Sequence, residues 1–301
     1  MFRRTAGFCV ERPAIGGTSL IFKPETPPEH SWNINETRDF LERAWTEALR
    51  QVSSAPVTEM MRYALTGGKC LRGLLLLAVT ESCNGSMADA CRAAISIEML
   101  HAASLVVDDL PALDNASVRR NAPSLHSRFG ERAGILTAHA LVAAAFQVIS
   151  EIPDEPERVL RITGLLAAAI GRMANGELLG PVQWDPAESI ASKARVRALK
   201  TGALFELAAS IGALLAGAGP ALTADLAKLG LHLGVCYQVA DDLRDDVMSD
   251  HERDWLFKEN LRNWRDCDRL LHSLRSRLTR QAPLEEWMSE FRTAGSEAGL
   301  P

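Results

Sequence analysis

From about residue 31 onward the chain is dominated by alanine and leucine, with breaks at Pro111, Pro153, Pro156, Pro181, Pro186, Pro220 and Pro283. β-Branched runs between the breaks are short and strand-like alternation is missing, so the segments read as helices. After Asn35-Glu36-Thr37, the residues Phe40, Leu41, Ala44, Trp45, Ala48 and Leu49 recur at three-to-four spacing, which predicts an amphipathic helix. Gly67-Gly68 interrupts, 71–80 resumes, and a long apolar helix over 87–110 is ended by Pro111. Further helices are predicted over 131–151, 157–177, 188–217, 222–249, 262–280 and 284–294. Several are apolar around most of their circumference and belong in the middle of a bundle. The expectation is an all-α, single-domain bundle over 31–301, preceded by an irregular arm over 1–30 that carries Pro13, Gly16, Gly17, Pro24, Pro27 and Pro28.

Composition narrows the classes of function. A chain of 301 residues can bury a sizeable core. Its net charge of -5 gives no global basic field for nucleic acid or an anionic membrane. The six cysteines are scattered, without a CxxC pair, and read as reduced packing residues of a cytoplasmic protein. No run reaches about 18 consecutive apolar residues, the length of a membrane span. The apolar run near the start is cut by Glu11 and Pro13, too short for a signal peptide.

Two aspartate clusters stand out, each directly after an apolar run: Asp108-Asp109-Leu110-Pro111-Ala112-Leu113-Asp114 and Asp241-Asp242-Leu243-Arg244-Asp245. Carboxylates this close repel one another unless a cation lies between them. Clustered oxygen ligands suit Mg²⁺, which takes one or two carboxylates and leaves its other positions to water and phosphate oxygens. Two such clusters on facing elements would make a jaw for magnesium and a diphosphate. In the second cluster, Asp241 and Asp245 lie one helical turn apart, with Gln238 three residues before Asp241. In the first, Asp108 and Asp109 fall in the last turn of a helix, where the macrodipole disfavours them, and the spacer with Pro111 brings Asp114 back beside them. A solvated acidic helix end would give the same pattern in either cluster taken alone.

Basic groups accompany the clusters. Arg119-Arg120 follow the first, and Lys69 and Arg72 follow Gly67-Gly68. The planar fork of arginine suits bidentate contact with phosphate, and a lysine beside glycines suits close phosphate approach. Each of these, read alone, is equally an ordinary surface charge. His101 lies two turns before Asp108 and shares nearly its face, as a core histidine or as a donor to a ligand. Lys200-Thr201-Gly202 puts an ammonium and a hydroxyl inside an Ala/Leu-rich helix, where propensity alone would not ask for them.

These stretches, in this order, resemble the trans-isoprenyl diphosphate synthases, most closely bacterial geranylgeranyl diphosphate synthases. The match runs over roughly 35–250 and rests on Gly67 to Arg72, His101 to Asp114, Arg119-Arg120, Lys200 to Gly202 and Tyr237 to Asp245. It implies an all-α fold around a deep cavity, a homodimer, and three Mg²⁺ ions bridging the clusters to an allylic diphosphate. Asp108, Asp114 and Asp241 would be the direct metal ligands, supported by Asp109, Asp242 and Asp245. Lys69, Arg72, His101 and Arg120 would hold isopentenyl diphosphate, and Arg119, Lys200, Thr201 and Gln238 would contact the allylic substrate. The implied reaction is ionisation of the allylic C–O bond followed by attack from the double bond of isopentenyl diphosphate. It needs no protein nucleophile, in keeping with the absence of a GxSxG elbow. Ala103 and Ser104, about a turn deeper than Asp108, are small, so the expected product is C20 geranylgeranyl diphosphate, with C15 farnesyl diphosphate as the alternative.

Four departures from the family pattern stand out. Cys70 takes the place of an arginine, Gly73 of a proline, and Asn121 of a glycine. Past the second cluster, a glycine-rich, lysine-bearing loop is replaced by Ser249-Asp250-His251-Glu252-Arg253-Asp254-Trp255-Leu256-Phe257-Lys258, in which Lys258 is a candidate for the missing ammonium. These departures leave room for a non-catalytic subunit of a heteromeric synthase. A class I terpene cyclase is disfavoured because its Asn/Ser/Glu motif is absent, and a purely structural bundle leaves the paired clusters unexplained.

Overall fold

Spacing of apolar residues translates into helices with shifts mainly at their ends. The computed structural model describes residues 32–52, 56–153, 156–179, 190–244 and 250–296. The arm over 1–30 and Asp245 lie outside them. Helices α1 (Ile34–Val52), α2 (Val57–Leu65), α3 (Leu71–Ser82) and α4 (Met87–Asp108) come first. A two-residue ladder, β1 (Val118–Arg119) antiparallel to β2 (Ala122–Pro123), then precedes α5 (Leu125–Phe129), α6 (Glu131–Ser150) and α7 (Pro156–Leu179). Helix α8 (Ile190–Arg197) passes through a π-helical turn (Ala198–Gly202) into α9 (Ala203–Leu215). Helices α10 (Pro220–Asp242), α11 (Asp250–Leu274) and α12 (Ala282–Ser296) complete the all-α architecture.

Local chemistry sets several of these starts. The Asn33 side chain accepts from the N–H groups of Asn35 and Glu36, both at 3.0 Å, and so caps α1. Ser86 accepts from the Asp89 N–H and caps α4, and Pro220 occupies the first turn of α10. Helix α3 forms the middle of the bundle: Leu71 through Thr80 are all buried, against α4, α9 and α12. With no amphipathic face, it is stable only because neighbours cover it on every side.

The fold corrects several boundaries. The helix expected over 222–249 stops at Asp242, and the one expected over 262–280 starts at Asp250. Helices α2 and α5 and the β-ladder were not anticipated. By average hydropathy, three helical stretches are long and apolar enough to cross a membrane: Met87–Asp108, Glu131–Ser150 and Ala194–Leu215. None of the three is an uninterrupted apolar run, because polar or charged residues break each one without lowering its mean enough. In the first and third, 78% of the most apolar window is buried inside the protein, but in α6 only 44% is.

The π turn and the start of α9 meet α10 almost backbone to backbone. A Cβ on Gly234 would stand 2.6 Å from the Cα of Gly202, so only glycine permits the crossing. This contact brings the π turn, with Lys200 and Thr201, against the end of α10, with Gln238 and Asp241.

Candidate active site

One cavity of about 890 Å³ gathers most of the residues singled out by sequence. Lys69, Arg72, His101, Ala103, Ser104, Asp108, Asp114, Arg119, Arg120, Lys200, Thr201, Gln238 and Asp241 all line it. Asp109 and Asp242, in contrast, do not line it, and Asp245 lies outside the described residues.

The first cluster is built by the end of α4 and the loop after it. Pro111 cannot continue the helix, and the chain doubles back until the Asp114 N–H donates to the Asp108 carbonyl at 2.9 Å. Burial raises the Asp108 carboxyl to about 7; Glu177 and Asp114 push it further up, while Lys200 and Arg119 oppose them. Asp109 turns the other way. It is 3% exposed and takes the Nε of Arg119 at 3.0 Å, so it aims that arginine rather than facing the cavity.

Arg119 and Arg120 sit on the β-ladder. Its two-residue turn, Arg120-Asn121, has φ values of 54° and 60°, the pattern of a type I′ hairpin. Asparagine tolerates this left-handed conformation better than most residues, which accounts for Asn121 in a glycine's place. Arg120 reaches the carbonyls of Ala64, Leu65 and Thr66 at 3.1, 3.2 and 3.0 Å, closing the C-terminal end of α2. A Cβ on Gly68 would lie 2.9 Å from its guanidinium, so the glycine lets arginine and loop approach.

Beyond that loop, Cys70 adopts φ 53° at the start of α3 and is buried. The basic group of the family pattern is therefore missing from this wall. Arg72 is buried over the Phe205 ring, 4.7 Å from its centroid. Facing it is a residue that sequence reasoning missed: Glu98, buried on α4, accepts the Gly73 N–H at 2.7 Å. A proline at 73 would have no N–H to give, so Gly73 and this contact go together. Burial pushes the Glu98 carboxyl up, opposed by that hydrogen bond and by Arg72 and Arg120. His101, one turn on, is held well below its ordinary range by burial and by the three nearby arginines, and is therefore a neutral imidazole.

Across the cavity, Lys200 meets Glu177 of α7 at 2.6 Å, a second carboxylate missed by sequence. Gly176 leaves room for it, since a Cβ there would stand 2.8 Å from the lysine Cγ. The π turn is what brings Lys200 and Thr201 to the wall; such turns recur at functional sites. Thr201 donates to Gln238 at 2.5 Å, and Gln238 donates to Asp242 at 2.8 Å. Burial raises Asp241, which also takes Arg244 at 3.3 Å. Lys258 does not enter the site: it pairs at 2.6 Å with Asp254, one turn earlier on the exposed face of α11.

Among the described residues no three carboxylate, imidazole or thiol groups converge on one point. The acids come singly or in pairs from different elements, a donor set that fits Mg²⁺ completed by water and phosphate oxygens. Ala138, Val142, Ile170, Met173 and Leu204 give the wall an apolar stretch, beside which His139 and Tyr237 also line the cavity.

The polyprenyl synthetase family model matches residues 54–260. The chain belongs to the polyprenyl synthetase family. A geranylgeranyl diphosphate synthase of Cereibacter sphaeroides is 40% identical over 204 residues, 65% of this chain and 67% of that one. A farnesyl diphosphate synthase of Geobacillus stearothermophilus is 34% identical over 70% of this chain and 74% of its own. Geranylgeranyl pyrophosphate synthase 4 of Arabidopsis thaliana is 33% identical over 78% of this chain, and only 63% of the relative's length is spanned. Among solved structures, an FPP/GFPP synthase from Zymomonas mobilis superimposes with a TM-score of 0.78 at 28% identity, covering 87% of this chain and 97% of that one. A geranyltranstransferase from Thermotoga maritima gives 0.75 at 26% identity, covering 88% and 98%. Within this polyprenyl synthetase, Glu98 and Glu177 escaped sequence reasoning because neither belongs to an acidic cluster or a recognisable motif.

Proposed function

We propose that this polyprenyl synthetase is a Mg²⁺-dependent prenyltransferase. It joins isopentenyl diphosphate to an allylic diphosphate, releasing diphosphate and giving geranylgeranyl diphosphate, as a cytoplasmic homodimer. The observation that carries the reading is a single cavity lined by Asp108, Asp114 and Asp241, by five cationic side chains and by an apolar wall. Magnesium, in three ions held by Asp108, Asp114 and Asp241, would supply Lewis-acid stabilisation of the departing diphosphate.

Lys69, Arg72 and Arg120 bind the diphosphate of isopentenyl diphosphate, and neutral His101 adds one hydrogen bond without repelling the three arginines. Arg119, oriented by Asp109, and Lys200, oriented by Glu177, hold the allylic diphosphate. As the allylic C–O bond breaks, the double bond of isopentenyl diphosphate attacks the allylic carbon. A proton then leaves the adjacent carbon, taken up by the released diphosphate. The apolar wall excludes water that would otherwise capture the cation. Ala103 and Ser104 leave the tail unobstructed, which favours C20 over C15. The half-covered face of α6, with Ile135 and Leu136 46% and 55% exposed, is where a second copy would pack.

The solvent-facing Lys258 favours a second reading, a subunit without activity of its own. Purified protein with Mg²⁺, isopentenyl diphosphate and each allylic diphosphate in turn decides between them. Condensation to a C20 product is expected; no product with any allylic substrate would leave the non-catalytic reading.

A further inference from the structure

Arg197, at the end of α8, is 9% exposed and stands where three helices meet. Its Nε lies 2.6 Å from Asp242 Oδ2 on α10, and its Nη1 lies 3.2 Å from Glu259 Oε2 on α11. The Trp255 ring of α11 covers the guanidinium, 5.6 Å from carbon to centroid. A buried charge cluster of this kind contributes little net stability compared with apolar packing, so its value lies in what it orients.

What it orients is an amide. Asp242 takes Arg197 on one oxygen and the Gln238 Nε2 on the other, at 2.8 Å. An ionised carboxylate only accepts, so the NH₂ end of Gln238 must face it. The carbonyl end then faces Thr201, whose hydroxyl donates to it at 2.5 Å. An uninterrupted path thus runs from Glu259 through Arg197 and Asp242 to Gln238 and Thr201, and its last two members lie on the cavity wall.

We propose that Arg197 is a positioning residue: bridging Glu259 and Asp242, it locks the Gln238 amide in one orientation and couples α11 to the allylic half of the site. Helix α11 begins in the very stretch that departs from the family pattern, and the bridge gives this chain a fixed attachment there. The kinetic consequence rests on the condensation proposed above; the orientation of Gln238 does not.

Two measurements test it. In the ligand-free protein, the side-chain amide of ¹⁵N-labelled Gln238, identified by its loss in Gln238→Leu, should shift and lose exchange protection in Arg197→Met and in Glu259→Gln. Glu259→Gln keeps the shape of the site, so the test survives if Arg197→Met fails to fold. In turnover, both variants should raise KM for the allylic diphosphate by about tenfold while leaving KM for isopentenyl diphosphate within about twofold. Arg197→Lys should recover thermal stability but not the allylic KM, because one ammonium cannot reproduce two guanidinium contacts. An unmoved Gln238 signal, or equal changes in both KM values, would overturn the proposal. A wild-type protein that condenses nothing would remove the proposed function, yet the amide signal would still decide the bridge.

Discussion

Asp114 donates its backbone N–H to the carbonyl of Asp108, so the two carboxylates of one wall are tied through the main chain rather than through their side chains. Both side chains therefore remain available, whereas Asp109 between them is committed to Arg119. The three aspartates should respond differently to the same change. Asp108→Asn and Asp114→Asn should leave the melting temperature unchanged or higher and lower kcat by about a thousandfold, the scale of losing a group that stabilises developing charge. Asp109→Asn should cost about 2 kcal/mol of stability, as for a charged hydrogen bond lost from a buried site. Calorimetry beside steady-state kinetics separates the two patterns.

The raised Asp108 carboxyl makes magnesium binding and pH interdependent. Its value of about 7 in the fold exceeds the ordinary 3.8, so the folded protein holds this proton more tightly than the unfolded chain does. That contribution to stability is full below 3.8 and is lost as pH rises through about 7. A bound divalent cation favours the ionised form and reverses the loss. The rise in melting temperature on adding Mg²⁺ should therefore be larger at pH 8 than at pH 5.5. Equal shifts at the two values would detach Asp108 from the metal.

Glu98 balances Arg72 and Arg120 on one wall of the cavity. Glu98→Gln keeps the shape but leaves buried Arg72 and half-buried Arg120 without their carboxylate, and should lower the melting temperature by roughly 5 °C. Inorganic diphosphate would supply negative charge in its place. Its stabilising shift should thus be greater in the variant than in the wild type, read by thermal denaturation with and without the anion.

Chain length depends on the small side chains behind Asp108. Ala103→Phe and Ser104→Phe should each move the main product from C20 to C15 or shorter, measured by chromatography of the dephosphorylated alcohols. An unchanged distribution would mean that the tail follows another path.

On the half-covered face of α6, Leu136→Glu should convert the proposed dimer to monomer. Light scattering at several concentrations would report the halved mass, and an unchanged mass would place the interface elsewhere.

The fold was legible where the pattern was long. The segment predicted over 131–151 spans Glu131–Ser150 in the structure, and Pro111 follows closely on the end of α4. Three short elements left too little periodicity to read: α2, with nine residues, α5, with five, and a ladder of two residues per strand. The end of α10 was misjudged because Leu243 and Arg244, which form a turn, are as compatible with a helix in composition as the residues before them. In the site, motifs announced Asp108, Lys200 and Gln238. Glu98, Glu177 and Arg197 carried no local signal: their partners, Gly73, Lys200 and Asp242, lie at least 23 residues away along the chain. Only the folded arrangement shows what they hold.

Arg119 and Arg120 are neighbours in sequence, yet one leans on Asp109 and the other on the last carbonyls of α2. A single peptide unit in the hairpin thus acts as a spacer gauge between the two halves of the site. Whatever anions those arginines hold, their separation is set by the twist of that turn rather than by the flexibility of either side chain. Lengthening the turn by one residue would alter how the two guanidinium groups are presented to the cavity while every motif remained intact, a change invisible to any search for the motifs themselves.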